Sequence, residues 1–174
     1  DYTINSAAGY PLMTGPASID GPVNHVLPAW DISCGLTAAF TLLAAERSRR
    51  VDGQGREIRL ALSDVAFSML GHLGQLAETV VHDADRPRLG NALYGAFGRD
   101  FPTADGLRVM ICAITRKQWT SLLDALDLQA AVAAIESELG VSFDDEGMRF
   151  VHRDRLFPLV ETRTAAMPYA ECAS

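Results

Sequence analysis

The chain has 174 residues, a formal net charge of −7, and 48% apolar against 21% charged residues. That length allows one domain and part of another, and the apolar share is that of a protein with a packed core. The acidic balance argues against a nucleic-acid partner or an anionic membrane surface, and no apolar run approaches the roughly 20 residues of a membrane-spanning helix.

Residues 1–30 carry Gly9, Pro11, Gly15, Pro16, Gly21, Pro22 and Pro28. Such punctuation predicts a long ordered loop with little helix, packed by Tyr2, Tyr10, Leu12, Leu27 and Trp30. From Asp31 the pattern becomes helical: Leu36, Ala39, Phe40, Leu43 and Ala44 form one stripe, and Arg47, Arg49 and Arg50 suit the helix C-terminus. Asp52-Gly53-Gln54-Gly55 should stop this helix. Alternation of Ile58, Leu60 and Leu62 with Glu57, Arg59 and Ala61 predicts a strand. The next helix, capped by Ser63 or Asp64, carries Ala66, Met69, Leu70, Leu73, Ala77 and Val80. Helix, strand, helix is the rhythm of an α/β layer, assigned to residues 1–82.

A polar stretch at 83–88 reads as a linker, and residues 83–174 as a small α+β domain. Segments 94–101 and 107–114 predict an antiparallel hairpin around the Thr103-Ala104-Asp105-Gly106 turn. Helices are expected around Trp119, Leu122, Leu123 and Leu126, then around Val132, Ile135 and Leu139. A third starts near Asp144 and runs past Leu156, with Pro158 ending or kinking it.

Three isolated cysteines, Cys34, Cys112 and Cys172, have no C-x-x-C spacing and suggest reduced thiols in the cytoplasm. The opening DYTINSAAGYPLMTGP does not start with Met and lacks the basic and apolar regions of a secretory signal, and the chain reads as an excised piece or a processed chain.

Among residues that carry chemistry, Asp31 has the sharpest position, at a helix start near free backbone N–H groups. Capping and catalysis both fit it, and Asp at a helix start more often caps. His25, in the same loop, is a candidate acid or base, or a solvated loop residue. His72, His82 and His152 share no ligand spacing, so no metal is expected. Gly95 and Gly98 permit close backbone approach to a ligand, or mark an ordinary strand-end bulge.

The stretch LPAWDISCGLTAAFTLLAAERSRRVDGQGREIRLALSDVA resembles the nucleophile region of class III CoA-transferases, the CaiB/BaiF group. The family's Asp, following Gly, helix-ending Arg, Gly-x-Gly turn and later Asp match Asp31, Gly35, Arg47, Gly53, Gly55 and Asp64. The segment RPRLGNALYGAFGRDFPTADGLRVMICAITRKQW is similar to the family's entry into its small domain. The resemblance covers residues 1 to about 160 and implies a Rossmann-like large domain, cut to its C-terminal part here, followed by the small domain. It implies that Asp31 is the nucleophile and that Gly35, Gly95 or Gly98 supply oxyanion donors. It also implies an acyl-CoA substrate whose CoA is not a resident cofactor, and an interlocked homodimer in the intact protein.

Departures narrow the reading. Arg56 stands where the family usually has Gln, and only Gly95 and Gly98 stand where formyl-CoA transferases have a glycine run. At the positions of the racemases' His and Glu this chain has Tyr2 and Thr115, so α-proton abstraction lacks its pair. Tyr2 and His25 remain as candidate acid–base or substrate contacts. The phrases DYTINSAAGYPLMTGP and PVNHVLPAWD resemble a branch that moves CoA between the two carboxyl groups of one unsaturated diacid.

Overall fold

The computed structural model describes residues 1–173, and the chain divides into two compact units, the first Asp1–Gly90 and the second from Asn91 onward. The first unit holds five helices: α1 (Tyr2–Ala7), α2 (Tyr10–Met13), α3 (Ala29–Asp52), α4 (Leu62–His72) and α5 (Gln75–His82). Residues 1–30 are thus more helical than their composition predicts. Gly9 breaks the first turn-and-a-half with a left-handed φ of +80°, and Pro11 follows in the first turn of α2, where its missing N–H costs nothing. Gly53, also left-handed at φ +73°, ends α3 by donating its N–H to the Arg49 carbonyl at 2.8 Å.

Three expectations change in this unit. The segment holding Ile58 and Leu60 is exposed and pairs with no strand among the described residues. Alternation sets up a strand, but only a neighbouring edge completes one. The helix expected from Ser63 to Val80 is two, because Gly74 takes a left-handed φ of +72° between α4 and α5. Neither Ser63 nor Asp64 caps α4; Ala61 holds that position without a side-chain bond. The stretch expected to be a linker is tied down: Arg88 donates to the carbonyls of Leu12 at 2.8 Å and Pro11 at 3.2 Å, and the Gly90 N–H reaches the Gly15 carbonyl at 3.0 Å.

The second unit combines a two-stranded antiparallel sheet with helices. Strands β1 (Phe97–Pro102) and β2 (Arg108–Ala113) pair from Phe97 opposite Ala113 to Pro102 opposite Arg108, around the expected turn. The helices are α6 (Arg116–Leu126), α7 (Gln129–Leu139), α8 (Glu146–Val151), α9 (Arg153–Thr164) and α10 (Tyr169–Cys172). Phe97 lies 5.0 Å from Trp119 and 5.2 Å from Phe157, ring centre to ring centre, in a core that also buries Phe101, Phe143, Leu156 and Val160. Aromatic pairs at these separations add attraction beyond their buried area. Mixed helix with a small antiparallel sheet is the class the sequence implies.

The helix expected to bend at Pro158 instead breaks at His152, between α8 and α9. Pro158 sits inside α9. Its ring costs about 3 kcal/mol in an isolated helix interior. Here Leu156, Phe157, Val160 and Thr164 are all buried from the same helix and hold it across that residue.

Candidate active site

Helix α3 begins at Ala29, so Asp31 lies in its first turn and not at the capping position, which Pro28 occupies without a side-chain bond. The free N–H groups of that turn are nevertheless satisfied. One carboxylate oxygen of Asp1, Oδ2, accepts from the Trp30 N–H at 2.6 Å and from the Asp31 N–H at 3.1 Å. A carboxylate at a helix N-terminus meets both unpaired donors and the positive end of the dipole, an effect worth about 1 kcal/mol. Asp1 immediately precedes α1 yet makes no side-chain cap there.

The Asp31 carboxylate is left free. It is exposed and has no hydrogen bond or ion pair among the described residues. A pure cap would have folded that carboxylate onto its own helix; here another residue fills the role.

The segment leading into Asp31 is fixed by polar contacts. Trp30 is 7% exposed, and its indole N–H donates to Asn5 Oδ1 at 3.0 Å. The Asn5 amide donates in turn to Asn24 Oδ1 at 2.9 Å, and Asn24 Oδ1 also accepts the His25 N–H at 3.2 Å. Asn5 is itself buried, and such a group is costly unless both ends of its amide are used, as they are here. His25 Nε2 lies 3.1 Å from Asp1 Oδ1, close enough for an ion pair when the imidazole is protonated, though outside hydrogen-bond geometry. The Tyr2 ring centre is 6.1 Å from that of His25.

Tyr10 packs 5.2 Å from the Trp30 ring and donates its hydroxyl to Gln75 at 2.8 Å. Burial pushes the Tyr10 phenol above its usual range, with the Gln75 bond and the Arg86 charge opposing. Asn5, Tyr10, Thr14, His25, Trp30 and Met69 are among the residues lining a cavity of about 360 Å³ at this helix start. Its wall is mostly apolar with a few polar groups, the usual make-up of a small-molecule site. Asp31, next in sequence to Trp30, lies outside that wall.

The structure therefore gathers Asp31, His25 and Tyr2 in one unit, together with Asp1, which sequence reasoning missed. Only its place beside Tyr2 in the opening phrase could have drawn notice. Gly35 is a residue of the α3 interior, where the backbone N–H belongs to the helix ladder, so it is a poor oxyanion donor. Gly95 and Gly98 belong to the second unit. Gly95 has a left-handed φ of +78°, which demands glycine. Gly98 is buried in β1, and its carbonyl accepts the Leu93 N–H at 2.8 Å. Thr115 closes a capping box on α6: its hydroxyl accepts from the Gln118 N–H at 3.2 Å, and the Gln118 side chain accepts from the Thr115 N–H at 2.9 Å. Among the described residues no three His, Cys, Asp or Glu side chains gather as metal ligands, and no helix is long and apolar enough to cross a membrane.

Comparison with known proteins bears on this arrangement. The model of CoA-transferase family III matches residues 1–174. The chain is 50% identical over 171 residues to 2-methylfumaryl-CoA isomerase of Chloroflexus aurantiacus, covering 98% of this chain and 42% of that protein. It thus spans about two fifths of that relative's length. Among solved structures, a CAIB/BAIF family protein from Brucella suis superposes over 99% of this chain and 43% of its own, with a TM-score of 0.70 at 22% identity. The hypothetical protein Rv3272 from Mycobacterium tuberculosis does so with a TM-score of 0.68 at 21% identity, again over 99% of this chain and 43% of its own. At such identities the likeness speaks for the fold, while the family model spans the Asp31 segment and the hairpin alike. The chain belongs to CoA-transferase family III, a family of CoA-transferring enzymes.

Proposed function

We propose that the whole protein moves CoA within one molecule, from C1 to C4 of 2-methylfumaryl-CoA (mesaconyl-CoA), with Asp31 as the nucleophile. The observation that carries this reading is the uncommitted Asp31 carboxylate in a chain 50% identical to an isomerase of that name. The Asp31 carboxylate attacks the thioester carbonyl, forming a mixed anhydride and expelling CoA thiolate. The thiolate attacks the aspartyl carbonyl of that anhydride, giving an Asp31–CoA thioester and freeing the C1 carboxylate. The C4 carboxylate then attacks the Asp31 thioester, and the released thiolate takes the C4 acyl group from the second anhydride, restoring the Asp31 carboxylate. CoA enters and leaves as part of the substrate, and the steps call on no resident cofactor.

Both anhydrides hydrolyse readily, so the site must exclude water. The locked segment from Asn24 to Trp30 supports that requirement. Each tetrahedral intermediate also needs oxyanion donors. In this reading the protein is a cytoplasmic homodimer. A racemase role is disfavoured, because Thr115 is occupied in a helix cap and Tyr2 replaces the family's His.

The test uses a protein of the relative's full length that carries this segment. It is incubated with unlabelled 2-methylfumaryl-CoA and labelled free mesaconate, then digested for peptide mass. CoA mass on the Asp31 peptide with little label in the product is the expected result. An unmodified Asp31 peptide during turnover would sink the aspartyl mechanism, and rapid label uptake would point to an intermolecular transferase.

A further inference from the structure

The side chain of Asp1 is only 3% exposed, although the residue stands at the start of a short helix that it does not cap. Its carboxylate is spent on the first turn of α3, where one oxygen holds both the Trp30 and Asp31 N–H groups. The other oxygen lies 3.1 Å from His25 Nε2. A carboxylate this deeply buried is retained only with partners, and these partners are the backbone donors of the nucleophile segment itself.

We propose that Asp1 is a positioning residue for the Asp31 nucleophile, holding the helix start so that the Asp31 carboxylate stays free to react. This rests on the reading of Asp31 as the nucleophile. Two physical arguments support it. Without Asp1, the nearest anion to the free N–H groups of α3 is Asp31 itself. A carboxylate folded onto its own helix end has its lone pairs committed and its rotamer turned away from a substrate. The second argument concerns charge through the reaction. When Asp31 becomes an anhydride or a thioester it loses its negative charge, and a helix end stabilised by that charge would lose its compensation at each turnover. Asp1 does not react, so the N-terminus of α3 keeps an anion while the charge of Asp31 comes and goes. His25, Asn24, Asn5 and Trp30 brace the same unit from behind, through the bonds that link Asn24 to Asn5 and Asn5 to the Trp30 indole.

The experiment compares Asp1→Ala, Asp1→Asn and Asp31→Asn in a full-length protein carrying this segment, with turnover expressed per folded molecule. Asp1→Ala is expected to lower kcat by about tenfold or more while KM for the acyl-CoA stays within about threefold, because orientation of the nucleophile and not substrate binding is lost. Asp1→Asn keeps an oxygen acceptor for the two N–H groups but loses the charge, so its kcat should fall between those of Asp1→Ala and the unsubstituted protein, a few-fold below the latter. Val65→Ala, at a buried α4 position, serves as a control for lost stability, with kcat per folded molecule unchanged. If Asp1→Ala lowers the melting temperature but leaves kcat per folded molecule intact, Asp1 is merely structural and the proposal is overturned. Equal kcat in the Ala and Asn variants overturns it too. Should Asp1→Ala fail to fold, Asp1→Asn decides alone: a kcat lowered a few-fold at constant KM supports the role, and a wild-type kcat removes it. Full transfer by Asp31→Asn would instead defeat the nucleophile reading beneath, whereas an inert Asp31→Asn beside normal Asp1 variants defeats the positioning role alone.

Discussion

Arg149 is fully buried, yet among the described residues it faces no carboxylate at salt-bridge distance. Its guanidinium donates to the carbonyls of Phe143 at 2.6 Å, Asp144 at 3.2 Å and Ile114 at 2.5 Å, and lies 5.5 Å from the Trp119 ring centre. Burial lowers its pKa, with the charges of Glu146, Asp145 and Asp144 opposing. Methionine at this position would fill a similar space but strand those carbonyls without a donor. Arg149→Met is expected to destabilise the second unit by about 3 kcal/mol or more. The chain has two tryptophans, Trp30 in the first unit and Trp119 in the second, so a Trp30→Phe background lets urea unfolding be followed through Trp119 alone. An unchanged midpoint would show that the fork contributes no stability. Nothing in the sequence marks Arg149, because a single Arg in a helical stretch is usually solvated. Asp1 was equally hidden: its bond to Asp31 spans 30 positions, and periodicity reports only neighbours along one element.

At the scale of elements, legibility followed locality. The hairpin was readable because its alternation and its turn lie within one short stretch, and Thr103, Asp105 and Gly106 build that turn from their own bonds. The end of α3 was readable because Gly53 follows directly. The strand at Ile58 and Leu60 was misread because alternation says nothing about whether an edge is present to pair with. The split at Gly74 was missed because the apolar spacing of Leu73, Ala77 and Val80 continues across it, although Leu73 and Val80 are 62% and 83% exposed. Gly98 shows two readings of one residue parting. A Cβ there would come within 2.7 Å of Leu93 Cδ1 and 3.1 Å of the Ile111 carbonyl oxygen across the hairpin. The leucine can rotate, but the paired backbone cannot easily give. Gly98→Ala should therefore cost the second unit about 1–2 kcal/mol, read from the same Trp119 transition. A wild-type midpoint would mean that the strand has slack, and close packing would no longer explain the glycine.

Taken whole, the chain distributes its burial unevenly. The second unit encloses an aromatic core, whereas α3, with 24 residues, buries only Trp30. Leu36, Phe40 and Leu43 are 70%, 74% and 69% exposed, so the apolar stripe of this helix is uncovered within this chain. An exposed stripe of this kind signals a missing contact surface. The isolated chain is expected to self-associate at micromolar concentration, to bind CoA weakly at best, and to lack turnover. Sedimentation velocity over a concentration series, beside calorimetric titration with CoA, checks this. A well-behaved monomer that binds CoA tightly would place a complete pocket within these residues. The Asp1 contact has a further meaning for how the protein reaches its working form. Helix α3 can nucleate and grow from its own nearest turns, on the sub-microsecond to microsecond scale of local structure. Its first turn is finished only when residue 1 returns across a 30-residue loop, an event with its own entropic cost. Helix formation and the setting of Asp31 are then separate steps of folding, and the start of α3 is the first part of that helix to lose its setting when the segment ahead of it loosens.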